Sequence, residues 1–230
     1  MPASLVQALT STPVPVQVQS ANATVTLPAQ LFSLPVIQQL AQNPNAQLSF
    51  EVNNVTAAAA SQVQNVVTAQ PNANAYTAPV AVFEFALNIV QPGQVAEPVT
   101  SFGGGRAQVS VSYDQAALAK GQNEWKLNFY LVAGNSLTPV PTWIDSANDL
   151  ATMSLSHFGQ YTLMGYSKSF ADVAGHWAQG TVELLASKHI ISGIDANNFA
   201  PNRNITRAEF AALLQKMLGL TAKTGQAAFK

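Results

Sequence analysis

Arg207 carries the clearest chemistry in this chain. It lies between Thr206 and Glu209, and T-x-x-E marks a capped helix start, so its guanidinium stands at a first turn. Backbone N–H groups point outward there and favour an anion. A guanidinium beside them can hold a carboxylate through two hydrogen bonds. The competing role is a surface salt bridge to Glu209 or Asp172. Three residues upstream could complete a site. Trp177 has a flat face that can stack on a sugar ring, although a large aromatic on an apolar helix stripe ordinarily packs inward and leaves at most an edge exposed. Asp172 can accept hydrogen bonds from hydroxyl groups or cap the first helix. Gly193 permits a turn of positive φ and a close approach to the backbone. Glu209 reads as a capping residue.

Other groupings point to turns rather than reactions. Asp195, Asn197, Asn198, Asn202 and Asn204 crowd one loop. A calcium loop needs alternating ligands, and Phe199 and Pro201 break that spacing, so turn and capping chemistry is expected and no metal site. His157-Phe158-Gly159 hints at a covalent step. It resembles the His-Phe-Ser step of ZU5-like domains, some of which cut their own backbone. That reaction needs a hydroxyl or thiol at the third position, and Gly159 has neither. The three histidines, His157, His176 and His189, form no H-x-x-x-H or H-E-x-x-H spacing. The acidic residues are scattered and give no support to a glycosidase pair. Gly103-Gly104-Gly105 lacks the Lys-Ser/Thr of a phosphate loop. The expectation is no catalytic residue and no cofactor.

The elements that must position these residues change character near Lys168. Before it, short alternating segments predict strands at Ala23 to Leu27, Gln47 to Val52, Val80 to Val90, Ala107 to Tyr113 and Trp125 to Val132. Leu137 to Trp143, Ala151 to Ser156 and Tyr161 to Tyr166 complete the series, which favours a β-sandwich. Ala29 to Gln42 is helix-like but interrupted at Pro35. Ala57 to Ala75 reads as a loop with some helical tendency. After Lys168 the period becomes helical. Trp177, Val182, Leu185 and Ala186 form one stripe, and Phe210, Leu213, Leu214 and Met217 another. Gly219 supplies a stop.

Composition bounds the partners. Of 230 residues 48% are hydrophobic, enough for a core. Only 9% are charged, against about 25% in ordinary soluble domains, so Gln, Asn, Ser and Thr must build the surface. No Lys or Arg precedes Arg106, while basic residues outnumber acidic ones from Lys168 on. A net charge of -1 offers no field for nucleic acid. The mildly basic end suits a small anionic ligand. Cysteine is absent, which excludes disulfides and thiolate metal sites. The first residues lack the basic start and apolar run of a secretory signal. No segment reaches the roughly 20 apolar residues of a membrane span.

Residues 170–220 read FADVAGHWAQGTVELLASKHIISGIDANNFAPNRNITRAEFAALLQKMLGL. In order they place Phe170 and Asp172, a His176-Trp177 pair before a helix, Ile190, Ile191 and Gly193 in a turn, Phe199 and Pro201 in a loop, and Thr206 to Phe210 at a second helix start. This run strongly resembles an S-layer homology repeat, the module that holds bacterial surface proteins on the cell wall. The resemblance implies a location, the extracellular face and wall of a bacterium. It also implies a ligand, secondary cell-wall polysaccharide, often carrying a pyruvate ketal whose carboxylate Arg207 would meet. Asp172, Trp177 and Gly193 would join Arg207 in the site. Family members usually carry three repeats and bind between neighbours. Phe229-Lys230 look like the start of another repeat.

The expected architecture is therefore α+β and multidomain. A flexible lead-in or linker spans 1–19, and a mainly-β sandwich, weakly similar to a ZU5-like domain, spans 20–166. One α-helical repeat spans 170–220, and a linker with the start of a truncated repeat spans 221–230. The expected role is non-catalytic anchoring of a surface or S-layer protein. The alternative is the wall-anchoring end of a larger extracellular enzyme such as a polysaccharide hydrolase. A third reading is that the sandwich itself binds carbohydrate or protein.

Overall fold

The computed structural model describes residues 1–20, 22–54, 57–118 and 122–220. The expected start of a further repeat at Phe229-Lys230 lies outside the described residues. The chain divides into two compact units, Met1–Tyr166 and a second that begins at Ser167. The fold is α+β: two antiparallel sheets, then helices.

In the first unit one sheet has the order β1 (Val16–Gln19), β2 (Ala23–Leu27), β6 (Ala107–Ser112), β10 (Leu150–Leu155) and β9 (Thr142–Asp145). The other has the order β3 (Gln47–Asn54), β4 (Ala81–Val90), β11 (Gly159–Gly165), β7 (Leu127–Ala133) and β8 (Ser136–Val140). A two-residue strand, β5 (Glu97–Pro98), pairs with β4. Strand periodicity explains the layering, since successive side chains face opposite ways. In β6 Ala107, Val109 and Val111 are buried while Gln108 and Ser112 are exposed. These inward residues meet Phe83, Phe85, Leu87, Phe129, Tyr161 and Leu163 from the other sheet in one core.

The outer faces differ. The second sheet is covered by α3 (Ala57–Thr68), whose Val63 and Val67 pack on Val82, Tyr130, Met164 and Tyr166. Among the described residues no helix covers the outer face of the first sheet in this way. Its outward side chains align across the strands: Gln19, Thr24, Ser110, Thr152 and Trp143 form one row. Gln17, Thr26, Gln108 and Ser154 form the next. Ser110 and Thr152 share a hydroxyl–hydroxyl hydrogen bond of 2.8 Å.

Three local expectations are corrected. Residues 1–19 are not a flexible lead-in: α1 (Ala3–Ser11) buries Ala3, Val6 and Leu9, and β1 joins the sheet. Apolar residues three apart, behind Pro2 at the cap position, outweigh the Pro and Ser content around them. Ala57 to Thr68 is a helix rather than a loop, because alanine propensity combines with Val63 and Val67 on one face. Leu137 to Trp143 is not one strand. Pro141, which has no N–H to donate, separates β8 in one sheet from β9 in the other. The interruption at Pro35 is present, with a 3₁₀ turn over Ala29–Ser33 before α2 (Pro35–Leu40).

The second unit holds a 3₁₀ turn at Ala171–Val173, α4 (Gln179–Ser187) and α5 (Arg207–Leu218). Phe170, Val173, Val182 and Ala186 form its small core, with Ile191 and Phe199 packed against them. No residue of α5 is buried, and Phe210, Leu214 and Met217 of its apolar stripe are exposed.

Candidate functional site

The second unit is held together by loop chemistry. Asp172 lies in the first turn, and both its carboxylate oxygens accept backbone N–H groups from a distant loop, Phe199 at 2.9 Å and Ala200 at 2.6 Å. The N–H of Phe199 is the main reason its carboxyl is held below the usual range. The carbonyl of Asn197 accepts the N–H of Ala171 at 2.7 Å, which ties the same two segments again. Asp172 thus joins the first turn to the loop before α5 and does not cap α4.

The asparagine-rich loop is a turn. Asp195 Oδ1 accepts the N–H groups of Asn197 and Asn198 at 2.7 and 2.8 Å. Its carboxyl is lowered chiefly by the Asn198 side chain. Among the described residues no three His, Asp or Glu side chains group to hold a metal ion. Gly193 has φ +78, and a Cβ there would collide with the Phe170 ring and lie 2.6 Å from the Asn198 carbonyl oxygen. The room beside Gly193 is therefore taken by the domain's own loop and core.

At the start of α5 the capping box is complete. Thr206 Oγ1 accepts the Glu209 N–H at 3.2 Å, and Glu209 Oε2 accepts the Thr206 N–H at 2.7 Å. Glu209 Oε1 also takes a hydrogen bond from Arg203 at 2.5 Å. That guanidinium, with the Thr206 N–H, brings the carboxyl down to about 2. Gly219 closes the helix in the left-handed conformation with φ +60.

Arg207 is the first residue of α5 and is exposed. Its two expected salt-bridge partners are engaged elsewhere, Glu209 with Arg203 and Asp172 with the loop. Among the described residues it has no ion-pair partner, and its side chain is exposed. Trp177 corrects the sequence expectation. It is 91% exposed instead of packed in the core. The physical reason is the helix start: α4 begins at Gln179, so Trp177 lies before it in a turn and outside the apolar stripe. The ring lies 5.4 Å from that of His176.

A cleft of about 240 Å³ opens between the Ile190–Ile194 turn and α5. Ile191, Gly193, Phe199 and Leu213 give it apolar walls, and Arg203, Glu209 and Lys216 give it charge. Gly193 lines this cleft, but Asp172, Trp177 and Arg207 do not. Sequence reasoning missed Arg203 and Lys216; the signal for Arg203 was its basic charge six residues before the capping Glu209. Burial lowers Lys188 to about 8, and burial with Lys216 lowers His189 to about 4.

Comparison with known proteins bears on this unit. Residues 169–211 match the S-layer homology domain family. An amylopullulanase of Thermoanaerobacterium thermosulfurigenes is 36% identical over 81 residues, covering 35% of this chain and 4% of that protein. Exoglucanase XynX of Acetivibrio thermocellus is 33% identical over 90 residues, 36% of this chain and 8% of the relative. S-layer protein EA1 of Bacillus anthracis is 40% identical over 65 residues, 27% of this chain and 8% of the relative. The chain thus spans 4 to 8% of the length of these relatives. No solved structure matches it significantly. The relatives' enzymatic names belong to regions this chain does not cover, and the S-layer homology domain is itself a non-catalytic anchoring module. Residues 169–211 are thus an S-layer homology domain, and the chain that carries it is a cell-surface protein.

Proposed function

We propose that this chain anchors a surface protein to the bacterial wall by binding secondary cell-wall polysaccharide through its S-layer homology domain. The observation that carries the reading is the pair of side chains left open to solvent, Trp177 and Arg207, in a domain whose carboxylates are otherwise engaged. Trp177 offers a face for a sugar ring. Arg207 offers a fork for an acidic substituent such as a pyruvate ketal, beside the N–H groups of the α5 first turn. Asp172 supports the site by fixing the loop, and Gly193 by keeping the turn tight. Neighbouring repeats in a longer protein would complete the binding grooves.

The test uses the full-length protein with all its repeats. Calorimetric titration of purified wall polymer should show Arg207→Ala weakening binding by roughly 1.5–3 kcal/mol, the worth of a charge-assisted contact. Melting curves should be unchanged. Equal affinity in a variant of equal stability would assign Arg207 to the solvated surface. A second reading, the anchoring end of an extracellular polysaccharide hydrolase, is favoured by the amylopullulanase and exoglucanase similarities. The full-length gene decides between them, since a catalytic domain in the same chain supports the second.

A further inference from the structure

The first unit presents a surface that lies outside the S-layer homology domain. Its first sheet turns five strands of outward side chains to solvent, and the two central rows contain no charge. Hydroxyl and amide groups fill them, ending at Trp143 on the edge strand β9. Trp143 is 54% exposed, and no ring of the described residues stacks on it. Charge returns at the strand ends, with Arg106 before β6 and Asp145 closing β9.

We propose that this face binds an uncharged polysaccharide chain lying across the strands, with Trp143 stacking on one of its rings. Three features select that occupant. Without charge the two rows give no ion pair to an anionic polymer or a basic peptide. Apart from Trp143 they lack the apolar centre that a protein interface buries. Spacing supplies the third: neighbouring strands lie about 4.8 Å apart. That is close to the advance of one pyranose unit along a β-linked chain, so Thr24, Ser110 and Thr152 can each meet the hydroxyls of one sugar. An exposed indole beside a hydroxyl ladder has the amphipathic character that a sugar presents in return, apolar C–H faces and polar edges.

The test is native affinity electrophoresis of the full chain in gels containing hydroxyethylcellulose, arabinoxylan or carboxymethylcellulose. At least one neutral polymer should retard the protein more than the anionic one does. Trp143→Ala should weaken that retardation about tenfold, the effect of losing some 1.4 kcal/mol of stacking. Gln108→Lys should weaken it several-fold, and Arg207→Ala should leave it unchanged. Both altered side chains in the sheet are exposed, and circular dichroism should confirm that the fold is intact. No retardation by either neutral polymer, stronger retardation by carboxymethylcellulose, or full retardation of Trp143→Ala would each overturn the proposal. Loss of binding in Arg207→Ala would do so too, by moving the site to the second unit.

Discussion

Substituting Gly193 by alanine should destabilise the second unit and leave the first alone. Gly193 sits at φ +78, where an L-residue costs about 1–2 kcal/mol more than glycine. The added Cβ would meet the Phe170 ring, the Asn198 carbonyl oxygen at 2.6 Å and the Asp195 carbonyl oxygen at 3.0 Å. Two of these are backbone atoms in a loop pinned by Asp172 and Asp195, so relief requires moving the loop. Overpacking of this kind costs about 1–3 kcal/mol. Alanine also restricts the unfolded chain, which returns roughly 0.4–1 kcal/mol. The net loss is about 1–4.5 kcal/mol, and in so small a unit each kcal/mol shifts melting by about 4–8 °C. Differential scanning calorimetry of the full chain should therefore show one transition lowered by on the order of 10 °C. Hydrogen exchange should accelerate at the Phe199 and Ala200 amides, which Asp172 holds. Gly180→Ala is the control: it lies in α4 with open space around it, and should stabilise by about 0.5–1 kcal/mol. A Gly193→Ala protein melting within about 2 °C of the parent would refute the reasoning.

Thr206→Ala should cost about 1 kcal/mol of stability in the second unit, because it removes the cap on the Glu209 N–H; denaturant titration measures it. His189 is favoured neutral in the fold, with its pKa at about 4 through burial and then Lys216. Its contribution is complete above about pH 6.5 and is lost as pH falls through about 4, so melting of the second unit should decline across that window. His189→Gln should flatten the decline, and an unchanged slope would exclude His189 as its source. The Phe158–Gly159 bond should survive prolonged incubation, since Gly159 has no nucleophile; intact mass would reveal any fragments.

Residues with a one-dimensional signature were legible from sequence. The strand at Ala23–Leu27 alternates buried and half-buried side chains along its whole length, and the Thr206–Glu209 cap is a local pattern that tertiary contacts leave in place. Features set by distant contacts were not legible. The first nineteen residues look like a linker until Val6 and Leu9 meet the core. Trp177 looks like a helix residue until the true helix start, two positions later, leaves it outside. Asp172 has the same appearance as cap, ligand contact or staple. What distinguishes them is the arrival of Phe199 and Ala200, twenty-seven and twenty-eight residues on. The charged groups of the cleft were missed for the same reason, since Arg203 and Lys216 acquire a role once α5 is set against the Ile190–Ile194 turn.

The strand that leads into the anchor has a mechanical consequence. β11 ends at Gly165, and the second unit begins at Ser167. β11 is an interior strand, paired with β4 on one side and β7 on the other. If the second unit is fixed to a wall and the first is dragged by flow, tension enters the sandwich along β11. Hydrogen bonds on both flanks then lie across the pull and share it in shear, whereas an edge strand would peel away one bond at a time. The attachment is thus made through a strand held on both flanks, which a tug on the tether cannot peel away one bond at a time.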